Sequence, residues 1–148
     1  MSDSEQDGFS AAEKAAMKER AKEIRAPKKR MTKAEKAQQA RKEVEEKIAS
    51  FEGNDKVLAE KLHRIITATA PELEPKTWYG MPAYALDGKI LCFMQDAKKF
   101  GTRYLTFGFN DVAQLDEGTL WPTSFAITAL DEQLEDMLSA LVAKAVGR

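Results

Sequence analysis

The clearest helical pattern in the chain lies between residues 55 and 70, where Leu58, Leu62 and Ile66 recur every fourth position. Residues at this spacing share one face of a helix, so the stretch predicts an amphipathic helix that ends at Pro71. A second such pattern follows Thr128 and predicts a C-terminal helix with a continuous apolar face. That face consists of Leu130, Leu134, Met137, Leu138, Leu141, Val142 and Ala145.

Two weaker helical patterns come earlier in the chain, over residues 11–24 and 33–51. Each follows a capping box, a hydroxyl residue with Glu three positions later, at Ser10 and at Thr32. Pro27 separates the two helices, because proline disfavours helical geometry in the residue before it.

The second of these helices has the better apolar stripe. This stripe is most pronounced toward the C-terminal end of the helix, at Val44, Ile48 and Phe51. We therefore expect only its last two turns to dock on a core. The first helix carries mostly alanine on its apolar side, and its propensity predicts a helix more strongly than its packing surface does.

After residue 76 the pattern becomes typical of β-strands. Asp87-Gly88 is a two-residue hairpin signal, which joins predicted strands at Ala83–Leu86 and Lys89–Gln95. Further strands are predicted over residues 102–109 and 118–127. Pro122 places the last of them at an edge or on a bulge, because proline cannot donate to a ladder of hydrogen bonds.

These elements predict an α+β fold. A small antiparallel sheet of three to four strands packs against an N-terminal and a C-terminal helix, and a two-helix basic arm precedes it. We place the boundary after residue 52, with a helical extension over residues 1–52 and the α+β domain over residues 53–148.

The net charge of −1 hides an uneven distribution. Residues 14–42 hold twelve Lys or Arg against three Glu, including the run Lys28-Lys29-Arg30, whereas residues 51–148 hold ten basic and fourteen acidic residues. A basic arm of this kind could contact nucleic-acid phosphates. It contains no aromatic residues to stack on bases, and a solvated helix or a subunit contact would explain it equally well.

Cysteine and hydropathy indicate the compartment. Cys92 is the single cysteine, so the chain has no internal disulfide and no cysteine-based zinc site, as is typical of a reducing compartment. No apolar run is long enough to span a membrane, and no secretory signal is recognisable at the N-terminus. We predict a cytoplasmic protein.

An aromatic stretch, Thr77-Trp78-Tyr79-Gly80-Met81-Pro82-Ala83-Tyr84, follows a predicted linker over residues 72–76. Aromatic rings and a methionine beside phenolic hydroxyls are the usual lining of a small-ligand pocket. The alternative is a core strand with a bend at Gly80-Met81-Pro82. On the first interpretation, this face binds a small ligand or a protein partner, and the candidate ligand-binding residues are Trp78, Tyr79, Met81, Pro82 and Tyr84.

The segment Tyr79-Gly80-Met81-Pro82, followed by the hairpin signal Asp87-Gly88-Lys89, resembles the YdhG-like family of small bacterial domains. The resemblance covers residues 54–146, and the basic N-terminal arm looks like that of an actinobacterial long form. It implies an antiparallel sheet backed by helices. Some relatives are described as frataxin-like iron chaperones, which makes iron a possible cargo.

Other candidate side chains suit catalysis or metal binding less well. Glu132, Glu135 and Asp136 have the helical spacing that brings carboxylates together and are the candidate metal ligands, although a helix N-terminus also favours acidic residues. His63 has no acidic partner in sequence beyond the offset Glu60. We expect a helix-flank histidine, a buried and inert Cys92, and a binding protein with no catalytic constellation.

Overall fold

A computed structural model describes residues 10–25 and 31–148, the side chain of Arg25 excepted. The basic run at 28–30 lies outside this part. The helices are α1 Ala11–Arg25, α2 Lys33–Ala49, α3 Gly53–Thr69, α4 Ala97–Phe100 and α5 Glu132–Ala145. The strands are β1 Glu74–Trp78, β2 Met81–Leu86, β3 Lys89–Gln95, β4 Leu105–Phe109 and β5 Ser124–Ile127.

The five strands form one antiparallel sheet in the order β1-β2-β3-β4-β5, so each strand pairs with its neighbours in sequence. The predicted α+β class is confirmed, but the strand count was too low. The additional strand is β1, most of which lies in the predicted linker over residues 72–76. Its alternating polar residues and Pro75 gave no apolar pattern, because an edge strand can expose much of its surface.

Two strand boundaries also differ from the prediction. The last strand is confined to Ser124–Ile127 and follows Pro122, and it is an edge strand as the proline predicted. The predicted strand over residues 102–109 begins only at Leu105, after a loop. Between β3 and β4 the chain forms the single helical turn α4, which Asp96 caps by accepting a hydrogen bond from the Lys99 N–H.

One hydrophobic core lies between the sheet and three helices. Val44 and Ile48 are the buried residues of α2, so the expectation that its C-terminal turns dock is confirmed. They join one cluster with residues of α3 and α5, and with Tyr84, Cys92, Met94, Leu105 and Phe107 of the sheet. The boundary placed after residue 52 stays a prediction. Within the described residues, no helix is long and apolar enough to cross a membrane.

Candidate functional site

The aromatic stretch contains a hairpin turn. Trp78 pairs with Met81 across β1 and β2, which leaves Tyr79-Gly80 as a two-residue loop. Both loop residues have positive φ, 53° at Tyr79 and 75° at Gly80, as type I′ turns require. The predicted bend at Gly80-Met81-Pro82 was therefore misplaced, since Met81 and Pro82 already belong to β2.

The five predicted ligand-binding residues do not line one pocket. Residues that pair directly across antiparallel strands point to the same face of a sheet. Tyr84 pairs with Cys92, and Cys92 pairs with Phe109 of the core, so Tyr84 and Pro82 face the helices. Trp78 and Met81 pair with each other and face the opposite side.

On that opposite face, Trp78 belongs to a cluster of half-buried aromatic rings. Its ring centroid lies 5.3 Å from that of Phe93 and 5.2 Å from that of Tyr79, the latter in an edge-on arrangement. The Phe93 ring covers Gly108, where a Cβ atom would lie 2.5 Å from the ring. This packing holds the Trp78 ring behind Tyr79 and fixes the position of the turn.

Tyr79 and Met81 line a cleft between α1 and the β1–β2 hairpin, with a volume of about 570 Å³. This size falls within the range of about 300–1,000 Å³ that is usual for small-ligand sites. Its lining includes both apolar and polar residues. The other lining residues are Ser10, Glu13, Ala16 and Met17 of the N-terminal segment and Gln95, Phe100 and Thr102 of the globule. Sequence reasoning missed the α1 wall, because the thin apolar stripe of α1 gave no sign of where it docks.

Helix α1 is held over the turn by charged contacts. The Glu19 carboxylate lies 3.3 Å from Lys47 Nζ on α2 and 3.1 Å from Lys99 Nζ on α4. The Arg20 guanidinium lies 5.7 Å from the centroid of the Tyr79 ring, within cation–π range. Burial alone would raise the pKa of Glu19, but the nearby Lys99 and Lys47 outweigh it and lower that pKa.

Tyr84 has a structural role in the core. Its side chain is fully buried, and its hydroxyl lies 2.7 Å from His63 Nδ1 on α3. His63 Nε2 lies 3.5 Å from a Glu45 carboxylate oxygen on α2. Because a carboxylate only accepts, the arrangement suits a neutral ring that donates from Nε2 to Glu45 and accepts at Nδ1 from the Tyr84 O–H.

Burial lowers the pKa of His63, and the neighbouring Glu45 opposes this shift only in part. Burial likewise raises the pKa of the Tyr84 hydroxyl, which keeps it a hydrogen-bond donor. His63 does lie on a helix flank as expected, but its partners come from two other elements. No spacing signal could have found them, since Glu45 and Tyr84 stand on different elements at long separations in sequence.

Cys92 is fully buried in the central strand β3, as predicted, and burial raises the pKa of its thiol. A thiol that stays protonated is a poor nucleophile and a poor metal ligand. Cys92 therefore contributes to the core as a small apolar residue.

The candidate metal ligands lie at the start of α5. Glu135 lies 3.9 Å from Lys61 Nζ, and Asp131 caps the helix by accepting a hydrogen bond from the Leu134 N–H. Over residues 10–25 and 31–148, no three His, Cys, Asp or Glu side chains are grouped so as to hold a metal ion. Glu132, Glu135 and Asp136 are thus not brought together as a ligand set.

Comparison with known proteins gives no match to any protein-family model, to any curated protein or to any solved structure.

Proposed function

We propose that this chain is a non-catalytic binding protein that holds a small, partly apolar ligand in the cleft between α1 and the β1–β2 hairpin. The observation that carries the proposal is the backbone of Tyr79. A non-glycine residue in the left-handed region costs about 1–2 kcal/mol, and here that conformation directs a tyrosine ring to the cleft wall. Strain of this kind concentrates at ligand sites, where a side chain is needed in one place.

The lining residues indicate the class of ligand. Tyr79, Met81, Phe100 and Met17 supply apolar contact, while Gln95 and Thr102 supply an amide and a hydroxyl that fix orientation. Such a lining suits a planar or aliphatic group with one or two polar substituents. Of the five predicted ligand-binding residues, only Tyr79 and Met81 belong to the proposed site. Trp78 supports the Tyr79 ring from behind.

Membership of the YdhG-like family belongs to the same proposal. An antiparallel sheet backed by helices is what that resemblance implies, and Tyr79 and Met81 of the Tyr79-Gly80-Met81-Pro82 segment line the proposed site. Cytoplasmic location, iron handling and nucleic-acid contact through the basic arm stay predictions. Binding in the cleft is the function that the geometry favours.

A ligand-detected NMR screen of the whole chain against a panel of metabolites tests the proposal. Compounds that bind should lose at least about tenfold in affinity in Tyr79→Ala, because the main aromatic wall of the cleft is removed. Tyr104→Ala is the matched control, since it removes a tyrosine ring that does not line the cleft. Hits that bind folded Tyr79→Ala as tightly as the wild type would refute this site.

A further inference from the structure

Three chain segments meet around the carboxylate of Glu19. Lys47 extends from α2 and Lys99 from α4, and each places its ammonium group against a different oxygen of this carboxylate, at 3.3 and 3.1 Å. Both lysine side chains are mostly buried, with 31% and 21% of their surface exposed. Hydrogen bonds between ionised partners are stronger than neutral ones, and lysine ammonium groups bind phosphate as point charges.

Gly80 forms the third wall of this site. A Cβ atom at Gly80 would lie 2.2 Å from Glu19 Oε2 and 2.8 Å from Lys99 Nζ. The absence of a side chain at the turn therefore leaves room for one oxyanion between the two lysines. The positive φ of Gly80 is a separate requirement of the turn.

Two other carboxylates, Glu52 and Asp96, line the same cavity, and the charge of Lys99 also acts on Asp96. Glu52 pairs with Lys98, and the buried Asp96 carboxylate accepts a hydrogen bond from the Lys99 backbone N–H. In the described part of the chain, Glu19 is the one carboxylate within 4 Å of the Lys47 or Lys99 ammonium group. The two lysines thus present their charge to whatever occupies the position of Glu19.

The segment that carries Glu19 is weakly attached. Ala16 is the one buried residue of α1 among those described, whereas Met17 and Ile24 are 39% and 64% exposed. A carboxylate tethered in this way acts as an intramolecular competitor, whose strength depends on its effective concentration rather than on a large interface.

We propose that Lys47, Lys99 and the Gly80 turn form a binding site for an oxyanion, either a phosphate or a carboxylate group, and that Glu19 occupies it as a built-in competitor. An anion that binds there displaces Glu19 and loosens α1. The site is distinct from the cleft lined by Tyr79 and Met81, and it does not depend on the function proposed for that cleft.

Titration of the whole chain with inorganic phosphate, and separately with acetate, tests this inference by NMR at constant ionic strength with chloride as the balancing ion. Glu19→Gln should bind the preferred anion about tenfold more tightly than the wild type, because the competing charge is gone. Adding Lys99→Ala to Glu19→Gln should abolish the gain. Adding Lys144→Ala instead should leave it intact, since Lys144 pairs with Glu117 and does not line this site.

A second measurement uses the unmodified protein. Saturating anion should accelerate amide exchange in α1 while exchange in α3 is unchanged, which a merely ionic effect on the whole surface would not do. Preference for phosphate or for acetate identifies the source of the oxyanion, and either preference supports the site. Equal affinities of Glu19→Gln and wild type, or equal losses from Lys144→Ala and Lys99→Ala, would overturn it.

Discussion

The two hairpin turns at the ends of β2 share a backbone shape but differ in what surrounds them. Tyr79-Gly80 has φ values of 53° and 75°, and Asp87-Gly88 has values of 51° and 83°. Gly88 has no atom within 4 Å of where a Cβ would be, whereas Gly80 lies against Glu19 and Lys99. We call Asp87-Gly88 the open turn and Tyr79-Gly80 the covered turn. Aspartate and glycine adopt positive φ at little cost, whereas tyrosine adopts it only with strain.

The difference indicates what each turn is for. Asp-Gly is among the preferred pairs for a type I′ turn, so the Asp87-Gly88 loop needs no explanation beyond reversing the chain. Tyrosine at the first position costs free energy that an asparagine there would largely avoid. Tyr79 contacts Trp78 and Arg20 and borders the cleft, so its side chain accounts for the cost that its backbone incurs.

The largest expected effect on stability concerns Tyr84, which lies in β2 between the two turns and contacts His63. His63→Leu should destabilise the fold by about 2–3 kcal/mol, because the buried Tyr84 hydroxyl loses its partner and stays unsatisfied. Urea unfolding measures this change. Adding Tyr84→Phe to His63→Leu should recover much of it, since both polar groups are then absent. A double variant whose loss equals the sum of the two single losses would show that the contact is not the cause.

A direct contrast between the turns comes from substituting their glycines. Gly80→Ala should cost about 2 kcal/mol, because alanine is strained at positive φ and its Cβ also displaces Glu19 and Lys99. Gly88→Ala should cost only about 1 kcal/mol, from the backbone strain alone. Chemical denaturation gives both values, and amide exchange in α1 should rise only in Gly80→Ala. Equal costs at the two positions would mean that α1 does not bear on the turn.

Only one of these turns could be predicted from the sequence, for a physical reason. Asp87-Gly88 is determined by local preference, so the residues themselves indicate the conformation. At Tyr79-Gly80 the strand pairing on both sides and the packing of the Trp78 ring on Phe93 override the preference of tyrosine. The residues next to Tyr79 in sequence could not predict its positive φ, because the contacts that impose it form only when the sheet does.

The difference between local preferences and long-range contacts also applies to the candidate site. The stripe at Val44 and Ile48 predicted the docking of α2, because apolar spacing can be recognised within one helix. The partners of Glu19 and Tyr84 come from elements far apart in sequence. Finding them required knowledge of which helix crosses which strand, and the thin apolar stripe of α1 did not provide it.

Backbone strain at the covered turn can be isolated by a pair of substitutions at one position. Tyr79→Ala and Tyr79→Gly both remove the ring, but only glycine adopts positive φ without strain. Tyr79→Gly should therefore be more stable than Tyr79→Ala by about 1 kcal/mol, as measured by thermal and urea unfolding. Asp87→Gly and Asp87→Ala form the matched pair at the open turn and should differ by a similar amount. If Tyr79→Ala is the more stable variant, the turn relaxes out of the left-handed region when the ring is absent.

The smallest expected effect is a pH dependence of stability at the turn formed by Tyr79 and Gly80. Lys99 and Lys47 lower the pKa of Glu19 below its ordinary value of 4.5, despite the opposing effect of burial. A group with a lowered pKa in the folded state contributes stability above its unfolded pKa and loses it as the pH falls through the folded value. Wild type should therefore exceed Glu19→Gln in stability at pH 7, and this difference should shrink as the pH falls below 4.5.

In a Lys47→Ala, Lys99→Ala background the difference should be small at every pH, because the charges that lower the pKa are gone. A difference that is as large at pH 3 as at pH 7 would show that Glu19 holds α1 over Gly80 by packing rather than by charge.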